Sequence, residues 1–374
     1  MAESAKPRVL ILGGVGFVGR NLTSYLVKNE LVSKVRVVDK VPPATGWLNE
    51  DHKAIFKSPI VEFKSANLAN NASCSKVFHD DSGAYDVVFN LATETKCGQT
   101  DEVYKERVLD VTVNCATEAA AHGTKRFIQM SCARVYDCDK EESREDGALN
   151  PWTQVDKFRL KSEEALAQTE GLDYVIVRPA TIYGIGDKQG LTPRLIIGAV
   201  YKELNEKMKL LWTADLRMNT VHISDVCRAL WHLRNVGQRG EIFNLCDKGH
   251  TTQGVISTLV SELFQIEHDY FGTILSNLAR VNMTSAVEES NEKHLAPWST
   301  ACTRDGIENT PLSPYIDKEL LYNKHLSVNG TKIESTGFRY EVPEVNMKLL
   351  KEIVEDYVTM NIFPPSLVPW KILA

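Results

Sequence analysis

Arg8-Val9-Leu10-Ile11-Leu12-Gly13-Gly14-Val15-Gly16-Phe17-Val18-Gly19-Arg20-Asn21-Leu22 decides the reading of this chain. An apolar run ends on glycines 13, 16 and 19, and a helical pattern follows. A strand that runs into a helix N-terminus in this way suits a pyrophosphate. The first glycine permits the tight turn, the second lets backbone approach phosphate, and the third lets helix and strand pack closely. A second apolar run, Val35-Arg36-Val37-Val38, closes on Asp39, 20 residues past Gly19. A carboxylate there suits the hydroxyls of an adenosine ribose. The pair predicts a bound dinucleotide. Asp39 would repel a 2′-phosphate and so favours NAD, while Lys40 beside it leaves NADP open.

Working outward, short apolar runs alternate with helical patterns through the first half. Strands are expected over 9–12, 35–39, 60–63, 87–91, 127–130 and 174–178, and helices over 18–28, 113–121 and 158–169. Such alternation predicts a Rossmann-type doubly wound parallel sheet, an α/β fold with ligand at the carboxyl ends of the strands. The dinucleotide domain is expected over 1–187, with 217–247 returning to it. A smaller C-terminal α/β substrate lobe is expected from 188–216 and 248–374. A strand over 219–223, a helix over 226–234 capped by Ser224 and Asp225, and a flexible polar loop over 288–314 complete the reading.

The chain has 374 residues, 43% apolar and 25% charged, with a net charge of −6. That balance excludes a broad nucleic-acid footprint. No membrane-length apolar run and no secretory signal are visible, and the polar start Met1–Pro7 leads straight into a strand. Eight cysteines without a CxxC pair fit reduced thiols in a cytoplasmic protein and predict no metal site.

Further segments extend the pattern in order: Asn90-Leu91-Ala92, Asn114, Ser131-Cys132-Ala133-Arg134-Val135-Tyr136, and Arg178-Pro179-Ala180-Thr181-Ile182-Tyr183-Gly184-Ile185-Gly186-Asp187. With the glycine loop they resemble the extended short-chain dehydrogenase/reductase family, NAD-dependent epimerase/dehydratase type. The resemblance is close over about residues 7–250 and looser beyond. It implies cofactor contacts from Gly13, Gly16, Phe17, Val18, Gly19, Asp39, Asn67, Leu68, Leu91, Ala92, Asn114, Lys161 and Pro179. It places substrate near Thr93, and near Arg217 if a phosphate is present.

The catalytic pattern departs from that family. Its members carry a tyrosine four residues before a lysine on the helix after the fifth strand, and no tyrosine lies between Tyr136 and Tyr174. Two registers are open. One puts Lys157 and Lys161 in the tyrosine and lysine places; the other puts Val155 and Arg159 there. The first is preferred because it keeps the lysine. Lys157 would then need burial to act as a base. Cys132 falls where a serine or threonine orients the substrate oxygen, and a thiol donates poorly. Tyr136 and Lys140 form a Tyr-x-x-x-Lys string in a loop, best read as chance. His222 and Asp225 read as a core histidine and a cap.

The proton-handling candidates are thus Lys161, Lys157, Cys132 and Tyr136. Three functions follow as expectations. One is an oxidoreductase, epimerase or dehydratase of altered mechanism on a polar, hydroxyl-bearing substrate such as a nucleotide sugar. Another is an inactive NAD(H)-binding scaffold, and the last a hydroxysteroid-dehydrogenase-like enzyme. The charged helix over 158–169 suits a monomer as well as the homodimer common among relatives.

Overall fold

The structure is a computed structural model that describes residues 6–372. Most of the polar start, residues 1–5, lies outside the described residues.

Six strands arise in the first half: β1 (Arg8–Leu12), β2 (Lys34–Asp39), β3 (Val61–Ser65), β4 (Val87–Asn90), β5 (Arg126–Met130) and β6 (Tyr174–Pro179). Beyond them lie β7 (Thr181–Tyr183), β8 (Met208–Leu210), β9 (Thr220–His222), β10 (Glu241–Leu245) and β11 (His268–Tyr270). The main sheet has seven strands in the order β10-β6-β5-β4-β1-β2-β3, every pair parallel. The order reverses between β1 and β4, which opens the crevice where ligand binds in such sheets. β1, β4 and β6 are buried nearly throughout, so they read as unbroken apolar runs instead of alternating ones.

The helices are α1 (Phe17–Lys28), α2 (Glu50–Phe56), α3 (Asn71–Phe78), α4 (Asp101–Tyr104), α5 (Val111–Ala121) and α6 (Gln154–Ala167). After them come α7 (Thr192–Leu204), α8 (Ile223–His232), α9 (Gln253–Phe264), α10 (Gly272–Val281), α11 (Met283–Arg304) and α12 (Met347–Thr359). α1 and α8 cover one face of the sheet through Leu22, Leu26, Val226 and Leu230. α3 and α5 cover the other through Val77, Phe78, Cys115 and Ala119. A separate apolar core joins α7, α9, α11 and α12 into the C-terminal lobe. Ile333 and Phe338, far along the chain, pack into the core of the sheet and stitch the two parts together.

Two expectations change. The stretch read as a flexible loop over 288–314 lies mostly in α11, a 22-residue helix with Pro297 inside it. Its apolar Val287, Trp298 and Ala301 are spaced widely among polar residues, which hides the helical period. The cap of α8 is His222, whose ring accepts the Ser224 N–H. Asp225 instead accepts the backbone N–H groups of Glu341 and Val342 and pairs with Arg228. No described helix is long and apolar enough to cross a membrane.

Candidate functional site

The glycine loop separates three duties. Gly13 has φ +76°, and a Cβ on it would lie 2.7 Å from the Ala92 backbone, so the turn and the close approach to the end of β4 both require glycine. A Cβ on Gly19 would lie 2.4 Å from Gly14 Cα, so the start of α1 sits directly on the turn. Gly16 is exposed, and a Cβ there would meet only the Gly13 carbonyl, at 3.1 Å. Its missing side chain therefore serves an open cradle at the N-terminus of α1, where N–H groups and the helix dipole face outward. Phe17 and Val18 follow it, half-buried.

The rest of the crevice is built around that loop. Asp39 accepts the Val15 N–H at 3.1 Å and the Val41 N–H at 3.0 Å, which sets its carboxylate beside the loop. Buried Arg20 ties the loop to Gly46 and Trp47 by donating to Val15 O, Gly46 O and Trp47 O. Burial pushes its guanidinium down to about 10. Leu68 is buried and Asn67 exposed. Asn114 donates to the carbonyls of Leu68 and Ala69, both at 3.0 Å, so it shapes that rim from behind. Leu91, Ala92 and Thr93 line the end of β4 half-buried, and Pro179 is buried at the end of β6.

The burial pattern of helix α6 favours the other register. Glu163 forms a buried ion pair with Arg178 on β6. Positions four apart share one helix stripe, so Val155, Arg159 and Glu163 face inward together, and all three are buried. Lys157 and Lys161 are exposed, and Lys161 Nζ lies over the Phe158 ring at 4.4 Å. Neither lysine makes a side-chain hydrogen bond or ion pair among the described residues, and both lie off the stripe that Glu163 turns inward, which favours the register with Val155 and Arg159 over the lysine pair and over a cofactor contact from Lys161. Val155 packs with Tyr104, Val108 and Phe158.

Between α6 and the end of β5 lies a polar cluster that the sequence reading passed over. Asp156, fully buried, accepts from Cys132 Sγ at 2.9 Å, from Arg134 Nε and Arg159 Nη1 at 2.7 Å each, and from Thr153 Oγ1. Burial pushes its carboxyl up, but Arg134 and Arg159 outweigh that and hold it well below the usual carboxylate range. Burial, with Asp156 adding to it, pushes the Cys132 thiol up to about 11. Tyr136 donates to Asn244 Oδ1 at 2.8 Å beneath the Arg178 guanidinium, and burial carries it up to about 12. Lys140 pairs with Asp215, away from Tyr136. Neither Cys132 nor Tyr136 is poised to take a proton near neutrality.

On the lobe side, Arg217 Nη1 donates to His250 O at 3.2 Å. Arg194, in the first turn of α7, meets only Met218 Sδ, at 3.7 Å, and no carboxylate among the described residues. Burial pushes it down to about 10, and burial also pushes Lys188, on the turn before α7, down to about 8. An unneutralised cation half-hidden in a crevice is a seat for an anion. Its trace in the sequence is a lone arginine in the apolar run Leu191–Tyr201. The expectation of no metal ligands meets one group: ligand-capable atoms of Cys97, Asp317 and Glu319 lie within 4.8 Å of one another. Cys97 stands 220 residues before Asp317 in sequence, so no spacing rule reaches the group.

The sequence profile of the NAD-dependent epimerase/dehydratase family matches residues 9–246, most of the sheet and its crevice. This chain belongs to that family. Among curated relatives, the dTDP-D-glucose 4,6-dehydratase of Dictyostelium discoideum is 25% identical over 261 residues, 64% of this chain. The match spans 58% of that dehydratase's length. Among solved structures, the dTDP-glucose 4,6-dehydratase of Streptomyces venezuelae, crystallised with NAD, aligns with a TM-score of 0.68 at 17% identity. The alignment covers 94% of this chain and 97% of that one. The UDP-glucose 4-epimerase of Thermotoga maritima, crystallised with UDP-glucose, gives 0.65 at 18% identity, over 94% and 98%. At these identities the likeness carries the fold, and the family member's own chemistry rests on its residues.

Proposed function

We propose that this family member binds NAD and a nucleotide sugar, and that it has lost the proton relay that drives epimerase and dehydratase turnover. The observation that carries the proposal is the pair Val155 and Cys132. Val155 holds the tyrosine's stripe with an apolar side chain, and Cys132 spends its hydrogen on Asp156. The cofactor reading rests on the open Gly16 cradle, with Gly13, Phe17, Val18 and Gly19 around the pyrophosphate and Asp39 toward the ribose. Leu68, Leu91, Ala92 and Pro179 then line its remaining length, and exposed Asn67 offers an amide to the adenine.

For the second ligand, Arg194 and Arg217 supply guanidinium groups suited to a diphosphate, and Thr93 sits near the sugar. The basic side chains of Arg194, Lys188, Arg217 and Arg134 favour a polar, anionic ligand over a steroid. When bound, NAD supplies a hydride acceptor. A protein without the matching acid–base group loses about 10²–10⁴ in rate. Eight free cysteines support a cytoplasmic setting.

One observation favours retained turnover. Glu319 accepts the Gln154 N–H at the start of α6, while its Oε2 is buried without a partner. Burial, with Asp317 and Asp156 adding to it, raises the carboxyl, as a replacement base would need.

Native mass spectrometry followed by single-turnover absorbance of the cofactor tests both readings. NAD retained, with a nucleotide sugar bound and no rapid reduction, is the expected result. Rapid reduction overturns the loss of the relay; if Glu319→Gln abolishes it, Glu319 is the replacement base. A protein that takes up no dinucleotide overturns the cofactor reading.

A further inference from the structure

Asp156 faces two guanidinium groups with one carboxylate. Its Oδ1 receives Cys132 Sγ and Arg159 Nη1, and its Oδ2 receives Arg134 Nε and Thr153 Oγ1. All of its capacity toward the crevice is spent inside the cluster. Arg159 turns its second terminal nitrogen back to Glu94 O at 3.4 Å. Arg134 has no such second anchor. Only its Nε is engaged, and among the described residues Asp156 is its sole carboxylate partner. Both terminal nitrogens of Arg134 are left without a partner among the described residues, on a side chain 27% exposed.

The cluster therefore carries one positive charge more than it neutralises, and it presents that charge as a planar fork. Arg134 is held rigid from behind, so little rotational freedom is lost when the fork closes on a ligand. No acid other than Asp156 makes an ion pair with Arg134 among the described residues. Asp317 accepts the Glu319 N–H, and Glu319 accepts the Gln154 N–H, both along the short turn Lys318–Leu321. Glu94 is taken by Arg107. Arg134 lies two residues past Cys132, at the carboxyl end of β5, where the sugar of a nucleotide sugar would sit.

We propose that Arg134 receives a carboxylate carried on the sugar ring, so that the ligand of this crevice is a nucleotide uronate and not a neutral nucleotide hexose. The inference rests on the nucleotide-sugar reading above. A carboxylate matches the fork with two parallel N–H···O bonds, whereas a hydroxymethyl group in the same place leaves the guanidinium desolvated and unpaired.

Calorimetric titration of the NAD-loaded full chain tests it, with UDP-glucuronate against UDP-glucose, the matching dTDP pair, and free UDP and dTDP. The uronate of one pair is expected to bind about tenfold or more tightly than its neutral partner. Arg134→Gln should erase that preference, chiefly by weakening the uronate, and Arg134→Lys should restore part of it. Circular dichroism of each variant checks that the cluster still folds. Free nucleotide bound with no uronate preference, or a preference that survives in Arg134→Gln, overturns this proposal alone. If no nucleotide or nucleotide sugar binds, the nucleotide-sugar reading falls and takes this one with it.

Discussion

Glu163 on α6 and Arg178 on β6 are joined by a buried two-point ion pair, with Arg178 Nε 3.1 Å from one carboxylate oxygen and Nη2 on the other. Ser131 Oγ also donates to Glu163, so helix, strand and the end of β5 are pinned at one place. This pair sets the rotation of α6 and so selects which side chains look into the crevice. Removing one partner of such a pair leaves a buried charge uncompensated, a cost of about 3–5 kcal/mol. Glu163→Gln is therefore expected to lower the urea unfolding midpoint markedly. A midpoint unchanged would mean that the pair does not hold the helix.

Lys157 and Lys161 point to solvent. Lys161→Ala should leave NADH affinity within about twofold, since removing an exposed charge costs little. A fluorescence titration decides it, and a large loss would return the lysine to the cofactor site.

The three glycines should separate in their effects. Gly19→Val forces a side chain against Gly14 and should lower thermal stability, with cofactor affinity falling as a consequence. Gly16→Val meets only the Gly13 carbonyl, at 3.1 Å, and should lower the unfolding temperature far less than Gly19→Val. Its NADH affinity should nevertheless fall by about tenfold or more, because the branch occupies the cradle. Differential scanning fluorimetry beside NADH titration distinguishes the two.

Asp39→Ser removes the carboxylate that would repel a 2′-phosphate. The ratio of NADH to NADPH affinity is expected to drop by about tenfold. An unchanged ratio would place the ribose elsewhere.

Acid should destabilise the fold through two buried histidines. Burial, reinforced by Arg20, pushes His52 down to about 4, and burial, reinforced by Lys293, does the same for His294. The unfolded state binds these protons near pH 6.5 and the folded state only near pH 4, so stability is full above 6.5 and declines as pH falls from 6.5 to 4. Each group contributes about 3 kcal/mol to that decline. Unfolding curves across this range, compared with a His52→Gln/His294→Gln variant, should show a flatter profile in the variant.

The parallel sheet was legible because β1, β4 and β6 are nearly unbroken apolar runs and its glycine loop has a spacing with few other uses. The crevice was legible on its cofactor side for the same reason: Gly13, Gly16, Gly19 and Asp39 act through backbone geometry that sequence spacing records. The other side was not. Val155 and Arg159 were weighed against Lys157 and Lys161 by residue type alone, whereas the choice depends on the Glu163–Arg178 pair, a tertiary contact. Asp156 and Arg134 join across 22 residues, and Glu319 reaches Gln154 across 165. No local pattern records such meetings. α11 escaped because its buried positions are sparse among polar ones.

β6 is buried along its whole length and gains its outer neighbour, β10, only after the chain has left the sheet to begin the C-terminal lobe. During synthesis, the row of N–H and C=O groups on that edge therefore waits more than 60 residues for its partner. Ile333 and Phe338 arrive to cover the core of the sheet later still. An open, apolar edge of this kind is a template for pairing with the wrong strand. The nascent chain thus carries a hazard of misassembly at a stage when the glycine loop is already made.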